Sequence, residues 1–200
     1  MNETPGEAHN TVSSQAVDEA VFREAIAHFA TGVTVITTLH EGKPTGMTAS
    51  AVASVSLDPV LLLVCIDNRL RTHTAIEASR CFVVNVLGEG QEELARRFAQ
   101  ASPDRFEGLA LREGRELPIL ADAIAHFVCD VHERFPGGDH SIFIGSVREC
   151  GSTPGRRPLL YYQSRFGVMR DRDAELLAEA MGWDVASLGG IGPVQVRIED

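Results

Sequence analysis

Residues 46–59 read GMTASAVASVSLDP, and this stretch decides more of the fold than any other. Hydroxyl-bearing residues alternate with Ala and Val, no helical period is present, and Asp58-Pro59 ends the run in a turn. The spacing predicts one extended strand. On it, period two places the hydroxyls of Thr48, Ser50, Ser54 and Ser56 on one face. A strand turned toward a core rarely spends four hydroxyls on one side, because each needs a partner. A flat polar ligand along that face would satisfy them, and the small neighbours would let its ring approach the backbone. A solvent-facing strand with Ser and Thr outward is the alternative.

Outward from this stretch the pattern is mostly sheet. Residues 33–39 (VTVITTL) are rich in β-branched side chains, and residues 40–44 (HEGKP) read as a hairpin turn. Residues 60–66 (VLLLVCI) and 81–87 (CFVVNVL) predict buried strands. Residues 123–134 alternate. Ile124, His126, Val128, Asp130 and His132 share one face, and Ala125, Phe127, Cys129 and Val131 the other. Gly137 and Gly138 turn the chain into a strand over 139–150, and 159–166 is the last clear strand. Asp18 suits the N-cap of a helix carrying Val21, Phe22, Ala25, Ile26 and Phe29, which Gly32 stops. Shorter helices are expected over 72–78 and 91–98. A loop over 99–120 crosses the barrel mouth, an acidic amphipathic helix spans 171–181, and a short tail covers 194–198. The expected fold is mainly β with peripheral helices: a closed antiparallel barrel of roughly seven strands. A doubly wound parallel sheet fits worse, because helices do not alternate regularly with strands. Residues 1–17 read as a flexible arm, 18–168 as the barrel domain and 169–200 as a helical extension and tail.

The chain has 200 residues, with 18 basic against 28 acidic and a net charge of −10. That balance argues against a non-specific nucleic-acid or anionic-membrane binder. The longest apolar run is too short to span a bilayer, and the first residues lack the basic and apolar regions of a signal peptide. Cys65, Cys81, Cys129 and Cys150 show no ligand spacing, and three of them sit in apolar runs. Free core thiols in a cytoplasmic protein are the expectation.

Two further segments carry possible chemistry. Residues 67–74 (DNRLRTHT) leave a buried strand and open a helix, where backbone N–H groups with Arg71 and Thr72 could hold a phosphate. A helix capped by Thr72, with exposed arginines, is the alternative. Residues 137–140 (GGDH) set His140 just inside a strand, where a neutral imidazole could donate to a ligand carbonyl or phosphate. A satisfied surface histidine is the bland counterpart. No GxGxxG, GxxxxGK[ST] or GxSxG occurs. His126 and His132 flank Asp130 on one face, but no HxH or HExxH accompanies them, so no metal is expected.

In order along the chain stand residues 30–38 (ATGVTVITT), 46–59, 61–68 (LLLVCIDN), 82–87 (FVVNVL), 138–145 (GDHSIFIG) and 158–162 (PLLYY). Together they resemble the flavin reductase-like family, the reductase components of two-component flavin-dependent monooxygenases, over about residues 20–168. The resemblance implies a flavin-binding split β-barrel and a homodimer. It implies an NAD(P)H-dependent flavin reductase that moves hydride from NADH or NADPH to FAD or FMN and supplies a partner monooxygenase. It places Thr48, Ala49 and Ser50 at the isoalloxazine edge, and Ser54, Val55 and Ser56 on the ribityl-phosphate side. Arg71 and Thr72 come near phosphate, with Leu70 where the family often has Ser. Cys81, Phe82 and Asn85 line the pocket, and His140 meets the nicotinamide nucleotide. No residue is implied as a covalent catalyst. On the residues alone, a tight flavin-binding electron carrier without nicotinamide turnover and a non-flavin structural domain remain alternatives.

Overall fold

A computed structural model describes residues 17–102, 104–171 and 194–198. The order of elements is α1 (Glu19–Ile26), β1 (Thr31–Gly32), β2 (Thr34–His40), β3 (Lys43–Ala49), β4 (Val52–Leu57), β5 (Val60–Asp67), α2 (Arg71–Ser79), β6 (Cys81–Val86), α3 (Glu92–Ala99), β7 (Ala125–Gly137), β8 (His140–Ser152), β9 (Leu159–Tyr162), β10 (Arg165–Asp171) and β11 (Val194–Ile198). Asp18 caps α1 as its position predicts: its carboxylate accepts from the N–H groups of Ala20 at 2.8 Å and Val21 at 3.3 Å.

Seven strands form one antiparallel sheet in the order β3-β2-β6-β7-β8-β5-β4. Its two edges are consecutive in the chain. An even number of antiparallel steps separates them, so β3 and β4 run in the same direction. They are two halves of a single strand, bent at Ser50 and Ala51, and the bend closes the barrel by carrying the chain from one edge to the other. At the bend, Cys65 N–H of β5 donates to the Ala51 carbonyl at 3.0 Å. The single straight strand expected over 46–56 is corrected accordingly. A register shift between Ser54 and Ser56 breaks the period a second time.

A smaller sheet in the order β1-β9-β10-β11 packs beside the barrel. The strand expected over 159–166 is in fact a hairpin, turning at Gln163 and Ser164. The expected tail, β11, is its outer strand, so this sheet crosses the boundary expected at residue 168. Residues 1–16 of the expected arm and 172–181 of the expected acidic helix lie outside the described residues.

The barrel interior is filled by Ile36, Val64, Phe82, Val84, Cys129 and Phe143. Phe127, Cys129 and Val131 point inward from β7, the face their alternation predicts. β2 and β6 are covered on their outer face as well. Val33, Val35 and Leu87 pack against Ala95, Phe98 and Leu120, while Val83 and Val128 pack against Leu117 and Ile119. Burial on both faces explains why residues 81–87 read as a continuous apolar run rather than an alternating one. Gly145 is needed where it stands, because a Cβ there would meet Phe82 Cζ at 2.6 Å and Cys129 Cβ at 2.8 Å. None of the four cysteines is disulfide-bonded. Burial pushes the Cys129 thiol up to about 12, which leaves it unreactive.

Candidate functional site

The bend between β3 and β4 lies where one ladder gives way to the other: pairing with β2 ends at Ala49 and pairing with β5 begins at Val52. It forms one wall of a cleft of about 880 Å³, within the roughly 300–1,000 Å³ typical of ligand sites. Ser50, Ala51, Val52 and Ala53 line this wall, and Gly32 and Thr34 line the cleft next to it. The facing wall comes from α1 and the β9–β10 hairpin, through Ile26, Phe29, Tyr161 and Gln163. Gln163 N–H donates to the Ala27 carbonyl at 2.9 Å, and the Gln163 amide nitrogen lies 3.2 Å from His28. This clasp holds α1, which buries none of its own residues, against the hairpin. The turn is costly: Gln163 has φ 46° and Ser164 φ 63°, and each non-glycine residue there costs about 1 kcal/mol. The strain sits in the cleft wall.

The residues named from sequence divide into three groups. Ser50 lines the cleft, and Ser54 and Val55 are exposed on β4. Ser56 is half-buried and accepts from Asp58 N–H at 3.2 Å. Thr48 is half-buried and donates to the Ala95 carbonyl of α3 at 2.6 Å, while Ala49 is buried and its carbonyl accepts from Thr34 Oγ1 at 2.6 Å. The four hydroxyls therefore do not form one ligand-facing row. Phe82 and Asn85 are corrected outright. Phe82 is fully buried inside the barrel. Asn85 is fully buried on its outer side, donating to the Val35 carbonyl and Thr37 Oγ1, both at 3.0 Å, and accepting from Leu120 N–H at 2.9 Å. Cys81 lies at the other end of β6, where its carbonyl accepts from Thr38 Oγ1 at 2.7 Å. Thr72 is buried in the first turn of α2, and the N-cap is Leu70, which makes no side-chain cap. Arg71 beside it is exposed.

His140 opens β8 opposite Asp67 of β5. From Ala51 it is two strands across and two residues along, roughly 12 Å by ordinary sheet spacings. Its Nδ1 lies 2.7 Å from Asp139 Oδ1. Arg69 grips Asp67, with Nη2 to Oδ2 at 2.6 Å, and this hydrogen bonding holds the Asp67 carboxyl well below the usual carboxylate range. Behind His140, Ser141 Oγ donates to Asn68 Oδ1 at 2.8 Å and lies 2.9 Å from His73 Nε2 of α2. These bonds fix the entrance to β8 to the loop ahead of α2.

Of the histidines considered as metal ligands, His126 is buried and His132 exposed. Among the described residues no group of three or more His, Cys, Asp or Glu could hold a metal ion. Neither ring nitrogen of His126 has a hydrogen-bond partner, and Nε2 stands 3.6 Å from Glu149 Oε1. Burial, reinforced by the Arg112 charge and opposed by Glu149, lowers the affinity of this imidazole for a proton. The unfolded chain takes that proton near pH 6.5, so stability from the neutral ring is complete above that pH and is lost as pH falls below it. Wild-type protein should therefore lose more melting temperature between about pH 7 and pH 5 than His126→Gln. Equal losses would remove His126 as the cause.

Both the sequence and the fold have counterparts among known proteins. A family profile described as "Flavin reductase like domain" matches residues 26–170. The chain belongs to the flavin reductase-like family. It is 43% identical over 153 residues to the reductase component of 4-nitrophenol 4-monooxygenase/4-nitrocatechol 2-monooxygenase from Rhodococcus opacus, covering 76% of this chain and 82% of that protein. It is 39% identical over 155 residues to an NADH-dependent FAD reductase from Streptomyces globisporus, covering 74% and 85%. Among solved structures, nitrilotriacetate monooxygenase component B from Mycobacterium thermoresistibile superposes with a TM-score of 0.73 at 41% identity, over 76% of this chain and 87% of that one. The NADH:FAD oxidoreductase of Streptomyces globisporus C-1027, solved with NAD and FAD fragments, gives 0.70 at 39% identity, over 76% and 95%. The antiparallel barrel is thus the split-barrel type of these reductases. Among the described residues, no helix is long and apolar enough to cross a membrane.

Sequence reasoning missed the facing wall of the cleft. Phe29 reads as helix core yet is exposed beyond the end of α1, and Gln163 lies inside what reads as one strand. Gly32 and Thr34 fall in the quoted stretch 30–38 and could have been found there.

Proposed function

We propose that this protein is an NAD(P)H:flavin oxidoreductase, transferring hydride from NADH or NADPH to FAD or FMN and supplying reduced flavin to a partner monooxygenase in the cytoplasm. The observation that carries this reading is the cleft at residues 50–53, where the chain passes from one ladder to the other through Ser50 and Ala51 and no side chain is larger than valine. Ala51 and Ala53 leave room for a planar ring to lie against the chain, and a Cβ at the neighbouring Gly32 would meet nothing within 4 Å. These residues fit a flavin. When bound, it supplies the redox chemistry by accepting the hydride. The chain's part is positioning: Ser50 and the bent backbone offer polar groups to the ring edge, and α1 with the hairpin keeps water from its outer face. Exposed Arg71, at a helix start that no side chain caps, supplies charge for phosphate. His140, held through Nδ1 by Asp139, is left with Nε2 to meet the nicotinamide nucleotide. NADH and FAD are favoured by the names of the relatives.

Exposed apolar side chains support a homodimer. Val21, Phe22 and Ile26 on α1, and Val55, Leu57 and Val60 on the β4–β5 hairpin, are all solvent-exposed in the single chain. A second copy covering them removes that surface from water.

The deciding experiment is anaerobic titration of flavin-free protein with FAD and with FMN, followed by NADH or NADPH. Flavin-dependent loss of NADH absorbance is expected. Its absence with both flavins would end the reading, and tight flavin binding with very slow NADH oxidation would favour an electron carrier instead. His140→Ala should raise the KM for NADH about tenfold, near 1.4 kcal/mol, and leave that for flavin within about twofold. Equal effects on both would remove His140 as the nicotinamide contact.

A further inference from the structure

His73 belongs to the first turn of α2, but its side chain is buried against the entrance of β8. Its Nε2 lies 2.9 Å from Ser141 Oγ, also buried, and its ring meets Phe143 edge to face with centroids 5.3 Å apart. The proton count fixes the direction of the bond to Ser141. That hydroxyl has one hydrogen and gives it to Asn68 Oδ1 at 2.8 Å, so toward His73 its oxygen accepts and Nε2–H donates. Asn68 in turn donates its backbone N–H to the Asp139 carbonyl at 3.0 Å. Residues 139 and 141, on either side of His140, are therefore both tied to Asn68, and the tie ends on His73. The hairpin turn itself adds little stiffness, since Gly137 and Gly138 lead into it. Asn68 is exposed, where water competes for its bonds, whereas the His73–Ser141 bond is shielded.

We infer that His73, acting through Ser141, is a positioning residue for His140 and so sets the affinity for the nicotinamide nucleotide. The inference rests on the reading of His140 given above. Neighbouring side chains of a strand point to opposite faces, so Ser141 shares the inner face of β8 with Phe143 and His140 takes the outer one. A bond that fixes Ser141 from inside fixes where the imidazole of His140 leaves the sheet. Displacements of about 0.5 Å matter at a ligand contact. Loss of orientation alone should therefore cost less than removal of the imidazole, but more than nothing.

Steady-state kinetics with NADH at saturating FAD, alongside FAD binding read by flavin fluorescence, test this. His73→Phe keeps a ring against Phe143 and removes the donor. It should raise the KM for NADH about fivefold, with kcat and FAD affinity within about twofold of wild type. His73→Gln, whose amide N–H can still donate to Ser141, should bring that KM back to within about twofold. Ser141→Ala breaks the same bond from the strand side and should match His73→Phe, so either variant alone suffices if the other fails to fold. In a His140→Ala background, His73→Phe should add less than about twofold, because a residue that acts through His140 has nothing left there to position. Multiplied losses in that double variant would overturn the inference, as would an unchanged KM for NADH in His73→Phe and Ser141→Ala, or a His73→Gln no better than His73→Phe. Equal weakening of NADH and FAD would overturn it too and leave His73 as a brace for α2. An unchanged KM for NADH in His140→Ala alone would overturn the reading of His140 itself, and this inference with it.

Discussion

Ala53→Trp is expected to weaken FAD binding at least thirtyfold, about 2 kcal/mol, while leaving the melting temperature unchanged. Ala53 is exposed on β4 and lines the cleft. An indole there would occupy the space where a planar ligand lies, yet it would displace no core side chain. Aromatic residues are well accepted on strands, so the fold has no reason to suffer. Equilibrium titration of flavin-free protein with FAD, alongside a thermal melt, checks both halves. Retained affinity would move the flavin elsewhere on the barrel.

Asn85→Ala should do the reverse, with about 3 kcal/mol lost in stability and FAD affinity within about twofold of wild type. The substitution removes three hydrogen bonds and strands Leu120 N–H and the Val35 carbonyl in a buried layer. The same layer is pinned by Thr37 Oγ1 donating to the Pro118 carbonyl at 2.6 Å, so the segment over β2 and β6 would loosen as a unit. At about 2–4 °C per kcal/mol for a chain of this size, the melting temperature should fall on the order of 6–12 °C. An unshifted melt with weakened FAD binding would restore Asn85 to the ligand pocket.

Asn85 also shows where a sequence stops being informative. In residues 81–87 every side chain but Asn85 is apolar or a thiol, because the strand is covered on both faces. Such a run has no period from which to tell inside from outside. A lone amide in it reads equally well as a ligand contact or as an anchor for a covering loop. The strands themselves were legible, from β-branched runs and from turn residues at Glu41, Gly42 and Gly138. The alternation of β7 was legible too, since one of its faces fills the barrel. The bend at Ser50 and Ala51 was not. Small and hydroxyl residues fit a straight strand and a bent one alike, and only pairing with two distant strands tells them apart. Gln163 and Ser164 hid a turn because neither is a residue that turns favour at positive φ. Thr72 looked like a cap, yet the helix begins one residue before it and buries its side chain.

Because one bent strand completes the wall of the barrel, whatever settles on residues 50–53 holds both margins of the sheet at once. Slower amide exchange should then spread together through β2 and β5, which neighbour opposite halves of that strand. Occupancy would be felt as cohesion of the whole shell, and departure of the ligand as its easing.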